Sequence, residues 1–185
     1  MDILAHMIWT NYGARPINKK LKEKNKETLK VGWTMAWSIF PDILAFGVPA
    51  FLAFIEMIFS GNFSILTFMN EHNIFGGTFV SWSPMLYSIG HSIVIWFIVF
   101  GLVWLVRGKP FIMLYGWLFH ICIDIFSHSI THYPTPFLFP LSNYHFPYGV
   151  SWRDTNFIII NYSLIVIVGV YIFIKNKKAK KKIVS

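Results

Sequence analysis

Four apolar stretches, each long enough to cross about 30 Å of hydrocarbon, decide what this chain can fold into. They run roughly Trp33–Phe59, Pro84–Val106, Pro110–Ile130 and Asn156–Ile174. In lipid every backbone polar group must be satisfied within the protein, and a helix does this inside a single segment. The predicted fold is therefore all-α, an integral membrane bundle of four transmembrane helices. The first twelve residues are apolar but too short to span. They are expected to form a short N-terminal helix, re-entrant or lying at the interface. Only 13% of the 185 residues are charged, about half the share usual in a soluble domain. Residues 1–174 thus read as a single membrane domain. Residues 175–185 read as a basic cytoplasmic tail, disordered beyond about Lys175.

The net charge of +8 could suggest a nucleic-acid partner, but its distribution argues against one. Seven of the sixteen Lys/Arg lie between Arg15 and Lys30, and six more between Lys175 and Lys182. Basic clusters beside apolar spans face the cytoplasm and its anionic lipid, so membrane lipid is the expected partner. Arg107 and Lys109 fall in the same class of loop. The Ser60–Ser83 segment has no Lys or Arg, and Thr131–Thr155 has only Arg153. With the basic segments inside, the chain is multi-pass, both termini are cytoplasmic, and two aromatic-rich loops face outward. Pro134, Pro136, Pro140 and Pro147 forbid a helix in the second of these loops, whose aromatics suit an ordered cap at headgroup level. Cys122 has no second cysteine with which to form a disulfide. Met1-Asp2-Ile3-Leu4 lacks the basic start of a signal peptide.

Ionisable residues within a span cost roughly 2.5–3.5 kcal/mol each on insertion scales, so each requires a reason. The third span carries His120, Asp124 and His128 at intervals of four, which puts all three on one helix face. Two imidazoles bracketing a carboxylate suit a divalent metal, zinc foremost. A polar seam or a proton relay uses the same residues. The first span adds Asp42 after Pro41, where the proline interrupts the helical ladder and can aim the carboxylate into a cavity. The second adds His91 after Gly90, a residue that allows close helix approach. Taken singly, Asp42 reads equally well as an internally hydrogen-bonded group, and a lone His such as His91 is more often a satisfied interhelical hydrogen bond than a ligand. His6 lies in the N-terminal segment, with Asp2 as a candidate companion. Counted at 1.5 Å per residue, Asp42 and His6 lie roughly 13 Å deep, His120 about 15 Å, and Asp124 and His91 about 21–22 Å. A shared band on four segments favours one buried metal site.

The remaining polar residues suit other roles. Glu71, His72, His132 and His145 fall in outward loops. Arg153 and Asp154 are expected to pair at the mouth of the fourth span, whose polar interruptions, Asn161, Tyr162 and Ser163, suit a scaffold.

In their order, these motifs resemble the bacterial inner-membrane family of membrane-bound metal-dependent hydrolases. The matching residues are His6, Pro41-Asp42, Gly90-His91-Ser92, His120-x3-Asp124 with Ser127-His128, and the Pro-rich run Pro134–Ser142. Leu44 and Leu86 stand where that family often has a further acidic residue and a further His. The family is in turn distantly similar to zinc-dependent phospholipases C and zinc nucleases. The resemblance implies residence in the bacterial cytoplasmic (inner) membrane and metal-dependent hydrolysis of a lipid-like or phosphoester substrate. It also implies that His6, Asp42, His91, His120 and Asp124 hold the metal. Asp124 is then the bridging or base-like carboxylate and His128 an extra ligand or acid. The alternatives from other classes are a small transporter or channel, which at this size would work as an oligomer, and a non-enzymatic protein with a structural metal.

Overall fold

The computed structural model describes residues 1–60 and 83–184. Most of the first outward loop, with Glu71 and His72, lies outside the described residues. The described residues are helical with irregular connections and form no β-strand. Helix α1 spans Ile3–Glu23. The Asp2 carboxylate starts it, accepting from the Ala5 amide at 3.0 Å as an N-cap. This helix is longer than the expected short segment. It continues through Arg15, Lys19, Lys20 and Lys22, because lysine and arginine are good helix formers.

Helix α2 covers Val31–Asp42, a π-helical turn covers Ile43–Gly47, and α3 covers Val48–Ser60. Pro41 has no N–H, so the ladder is interrupted here, and Asp42 sits where the α-helix widens into the π turn. The next expected span is broken. Helix α4, Ser83–Gly90, and α5, Ile93–Arg107, meet at 67°. Ser92 caps α5 by accepting from the Ile95 amide at 3.2 Å, which leaves His91 in the break. A 3-10 turn, Ile112–Leu114, leads into α6, Tyr115–Ser127. Helix α7 runs from Thr155 to Val184. It continues through the lysines where disorder was expected, again on strong helix formers. Asp154 caps α7 through the amides of Asn156 at 2.8 Å and Phe157 at 3.2 Å. The expected Arg153–Asp154 pair is therefore replaced by Arg153 reaching His132 Nε2 at 2.8 Å.

Two helical runs, Val31–Leu52 and Thr155–Lys178, are long and apolar enough to cross a membrane, and a third if the bent α4–α5 pair counts as one span. That is fewer than the four expected. The Ile112–Ser127 run is apolar but only roughly 24 Å long at 1.5 Å per residue. It stops short because His128 leaves the helix with extended backbone (φ −120°, ψ 126°).

The distribution of side chains is inverted relative to a water-soluble protein. Leu105 and Val106 are 80% and 87% exposed, whereas His6, His91, His120 and Asp124 are fully buried. Such a surface fits a chain whose solvent is lipid. A small apolar core of Trp96, Leu114, Trp117 and Ile121 fixes α5 against α6. The Trp117 indole donates to the Gly90 carbonyl at 2.5 Å, tying α6 to the helix break. Two glycines allow the close contacts. At Gly116 a Cβ would overlap the Thr34 carbonyl of α2, and at Gly90 it would lie 3.2 Å from the Pro41 carbonyl oxygen. Helix α1 is pinned to α7 by Trp9 donating to Asn161 at 2.9 Å and by Tyr162 donating to Asp2 at 2.9 Å. Asp2 is thereby committed to capping and packing and is not a companion of His6. The Pro-rich loop is ordered over the end of α6, with the Val150 and Trp152 amides donating to the Phe126 and Ser127 carbonyls, each at 2.9 Å.

Candidate metal centre

The interrupted helices and the polar face of α6 meet at one point. His120 and Asp124 come from α6, His91 from the α4–α5 break, and Asp42 from the end of α2. One ligand atom from each lies within 4.8 Å of every other, a group that could hold a metal ion. His120 Nε2 is 3.0 Å and His91 Nε2 3.4 Å from Asp124 Oδ2. The two Nε2 atoms are 3.1 Å apart. Asp42 Oδ1 lies 3.7 Å from His91 Nε2 and 3.8 Å from His120 Nε2.

The outer nitrogen of each ring explains the inner one. His120 Nδ1 lies 2.6 Å from the Ser38 carbonyl oxygen, and His91 Nδ1 lies 2.9 Å from the Tyr87 carbonyl oxygen. A carbonyl only accepts, so each Nδ1 carries the proton, and in the neutral ring each Nε2 presents a lone pair to the centre. Two facing lone pairs and two carboxylates repel unless a cation sits among them. Anchoring of Nδ1 on a backbone carbonyl is the usual support of a metal-ligating histidine.

Asp124 divides its two oxygens between different neighbours. Oδ1 lies 2.6 Å from the Met1 amino nitrogen and accepts from Ser127 Oγ at 3.1 Å. Oδ2 is buried with no hydrogen-bond partner among the described residues. A divalent cation would satisfy a buried carboxylate oxygen flanked by imidazole nitrogens, so the residues present fit such a metal. His6 stacks on His120 with ring centroids 3.8 Å apart, and its Nε2 lies 3.0 Å from Asp124 Oδ1. Neither of its nitrogens makes a hydrogen bond among the described residues. His6 is thus brought to the centre but against the other oxygen of Asp124, outside the four-residue group. His128 Nε2 lies 3.5 Å from Asp124 Oδ2, and its Nδ1 lies 2.7 Å from the Tyr133 carbonyl oxygen. His132 is not at the centre, being held by Arg153.

Sequence reasoning passed over the residues that support the ligands. Tyr87 stacks on His91 with centroids 4.0 Å apart, donates to the Tyr133 carbonyl at 2.9 Å and lies 3.2 Å from His128 Nδ1. Its position one helical turn before His91 was the available signal. Thr135 donates to the Asp124 carbonyl at 2.9 Å and anchors the Pro-rich loop on α6. Comparison with protein families, with curated proteins and with solved structures finds no match.

Proposed function

We propose that this chain is a zinc-dependent hydrolase of a bacterial inner membrane, acting on a lipid or lipid-like phosphoester. The single observation that carries the metal is the face-to-face pair of His91 and His120 nitrogens beside the orphaned Oδ2 of Asp124. Separations of 3.0 to 3.8 Å among these atoms suit ligands that share one ion through bonds near 2 Å. The hydrolytic chemistry is drawn from the motif resemblance, and the burial of the centre among apolar helices supports a substrate taken from lipid.

In this reading His91, His120, Asp42 and Asp124 hold the ion. A bound zinc ion supplies Lewis acidity and brings the pKa of a water to about 7. Asp42, at 12% exposure the least enclosed of the four, borders the open position that a substrate oxygen needs. His128 has its Nδ1 on the Tyr133 carbonyl, so its Nε2 is the nitrogen that takes a proton and returns it to the leaving oxygen. The bent α4–α5 pair and the short α6 serve as the second and third crossings, with both termini cytoplasmic and the centre toward the outer end of α6.

Elemental analysis of detergent-purified protein tests the reading directly. About one zinc per chain is expected, together with hydrolysis of a phosphoester that a chelator abolishes and added zinc restores. Protein that purifies without metal, takes up none and is indifferent to chelator would overturn it.

A further inference from the structure

The metal centre leaves one large feature unused. A hollow of about 590 Å³ lies where α1 and α6 diverge, walled by Gly13, Ala14, Ile17 and Leu21 on one side and by Tyr115 and Phe119 on the other. A second hollow of about 410 Å³ continues along α6 toward its Ser127 end, between Trp9, Ile123, Phe126 and Phe157. The two share Phe119 and Cys122 as a common wall. Together they form a furrow following α6, whose 13 residues measure about 20 Å.

Three observations bear on what occupies it. The furrow is lined almost wholly by carbon and lies on a surface of exposed apolar side chains, so a polar ligand would lose its hydration without recompense. The small residues Gly13 and Ala14 on its α1 wall leave it wide, and no described side chain fills the space. Its upper end is walled by Met1 and Ser127, both of which place a polar atom against Asp124 Oδ1. The furrow therefore runs from the edge of the metal centre down toward Lys26 and Glu27 at its lower rim.

We infer that this furrow holds one acyl chain of a membrane lipid, with the lipid's polar linkage at the Met1–Ser127 end and its methyl terminus toward Leu21 and Ile112. The inference rests on the hydrolase reading for the lipid's role as substrate, but the binding site stands on its own geometry. It narrows the substrate class to long-chain lipids drawn sideways from the bilayer. It makes Phe119 and Cys122 the residues that set how far a chain can extend. Phe119 comes close to Gly13, where a Cβ would lie 3.8 Å from its ring, so this side chain narrows the junction between the hollows.

The test uses the full chain in nanodiscs containing phospholipid with a photoactivatable diazirine, placed either beside the ester linkage or at the chain terminus, and maps the adducts by mass spectrometry. The linkage probe should mark Phe126 and Phe157, the terminal probe should mark Ile17, Leu21 and Ile112, and both should exceed labelling of the lipid-facing Leu105 and Val166. Cys122→Trp, which fills the junction, should remove the terminal adducts. In kinetics it should raise KM for a long-chain phosphoester about tenfold, the equivalent of roughly two methylene groups leaving the furrow, with a short-chain soluble ester unaffected. Equal labelling by both probes, adducts no denser than at Leu105, or chain-to-chain crosslinks in place of lipid adducts would overturn the furrow. Loss of position-dependent labelling with chelator-sensitive hydrolysis intact would sink the furrow alone. Position-dependent labelling on a zinc-loaded protein without hydrolysis would sink the enzyme reading and leave the lipid site standing.

Discussion

Asp124→Asn separates a metal centre from a polar seam because it keeps the side chain's size and removes only its charge. In the structure the Asp124 carboxylate lies within 3.5 Å of the Nε2 atoms of His6, His91, His120 and His128, and 2.6 Å from the Met1 amino nitrogen. With zinc bound, the substitution removes the one carboxylate that is fully buried beside the ion. Breaking a buried charge pair on one side typically costs about 3–5 kcal/mol. The resulting loss of affinity also removes the stabilisation that metal gives the folded state, about 2.7 kcal/mol at a hundred times Kd. Metal content measured by mass spectrometry should fall well below that of the wild type. Thermal unfolding in detergent should shift downward, and a chelator should have no further effect on the variant. Applied to the wild type, the chelator should lower unfolding toward the variant's value. If the cluster instead relays protons, the variant would retain whatever metal the wild type has, unfold within a degree or two of it, and lose pH-linked transport in vesicles. Wild-type protein that ignores chelator, paired with an equally stable Asp124→Asn, would refute the reasoning.

Helix packing can be probed at two glycines of opposite character. Gly116→Ala forces a methyl into the Thr34 carbonyl and should cost about 1–3 kcal/mol by overpacking, whereas Gly101→Ala, with nothing within 4 Å of the new Cβ, should be neutral or stabilising by about 0.4–1 kcal/mol. Paired unfolding curves decide it, and equal effects at the two sites would dismiss the close α2–α6 approach. Topology is checked by labelling: a cysteine at position 73 in a Cys122→Ser background should react with an impermeant maleimide from outside, and a reporter fused after residue 185 should be cytoplasmic. Labelling of position 73 only after permeabilisation would reverse the orientation.

Periodicity made the polar face of α6 readable in the sequence, since residues four apart on a helix must share a side: His120 and Asp124 do so, while His128, just past the helix end, comes to 3.5 Å from Asp124 Oδ2 on extended backbone. What stayed hidden depends on tertiary hydrogen bonding. The break at His91 and Ser92 leaves no mark in hydropathy, since Ser92 acts as a cap only once the chain bends. The polar start of α7 looked like an ion pair, yet Asp154 gains two amide bonds by capping and Arg153 finds His132. Fewer helices than expected are long enough to count as spans, because apolar length alone does not show that α6 ends at Ser127, where the Pro-rich loop takes over its last carbonyls. The extent of α1 was misjudged because a change from apolar to basic residues reads as a boundary, although the helix itself passes through it.

The three imidazoles at the end of this cluster lean on main-chain oxygens, those of Ser38, Tyr87 and Tyr133. Every amino acid supplies a carbonyl, so the side chain at any of these positions can be exchanged without removing the oxygen that holds the ring in its tautomer. The orientation of the ligands is thus insulated from sequence drift. Substitutions that keep these carbonyls in place leave the tautomers unchanged, whereas changes that move the backbone, at Pro41, at the His91 break or at the Pro-rich loop, or that remove the Tyr87 ring stacked on His91, would reach the imidazoles.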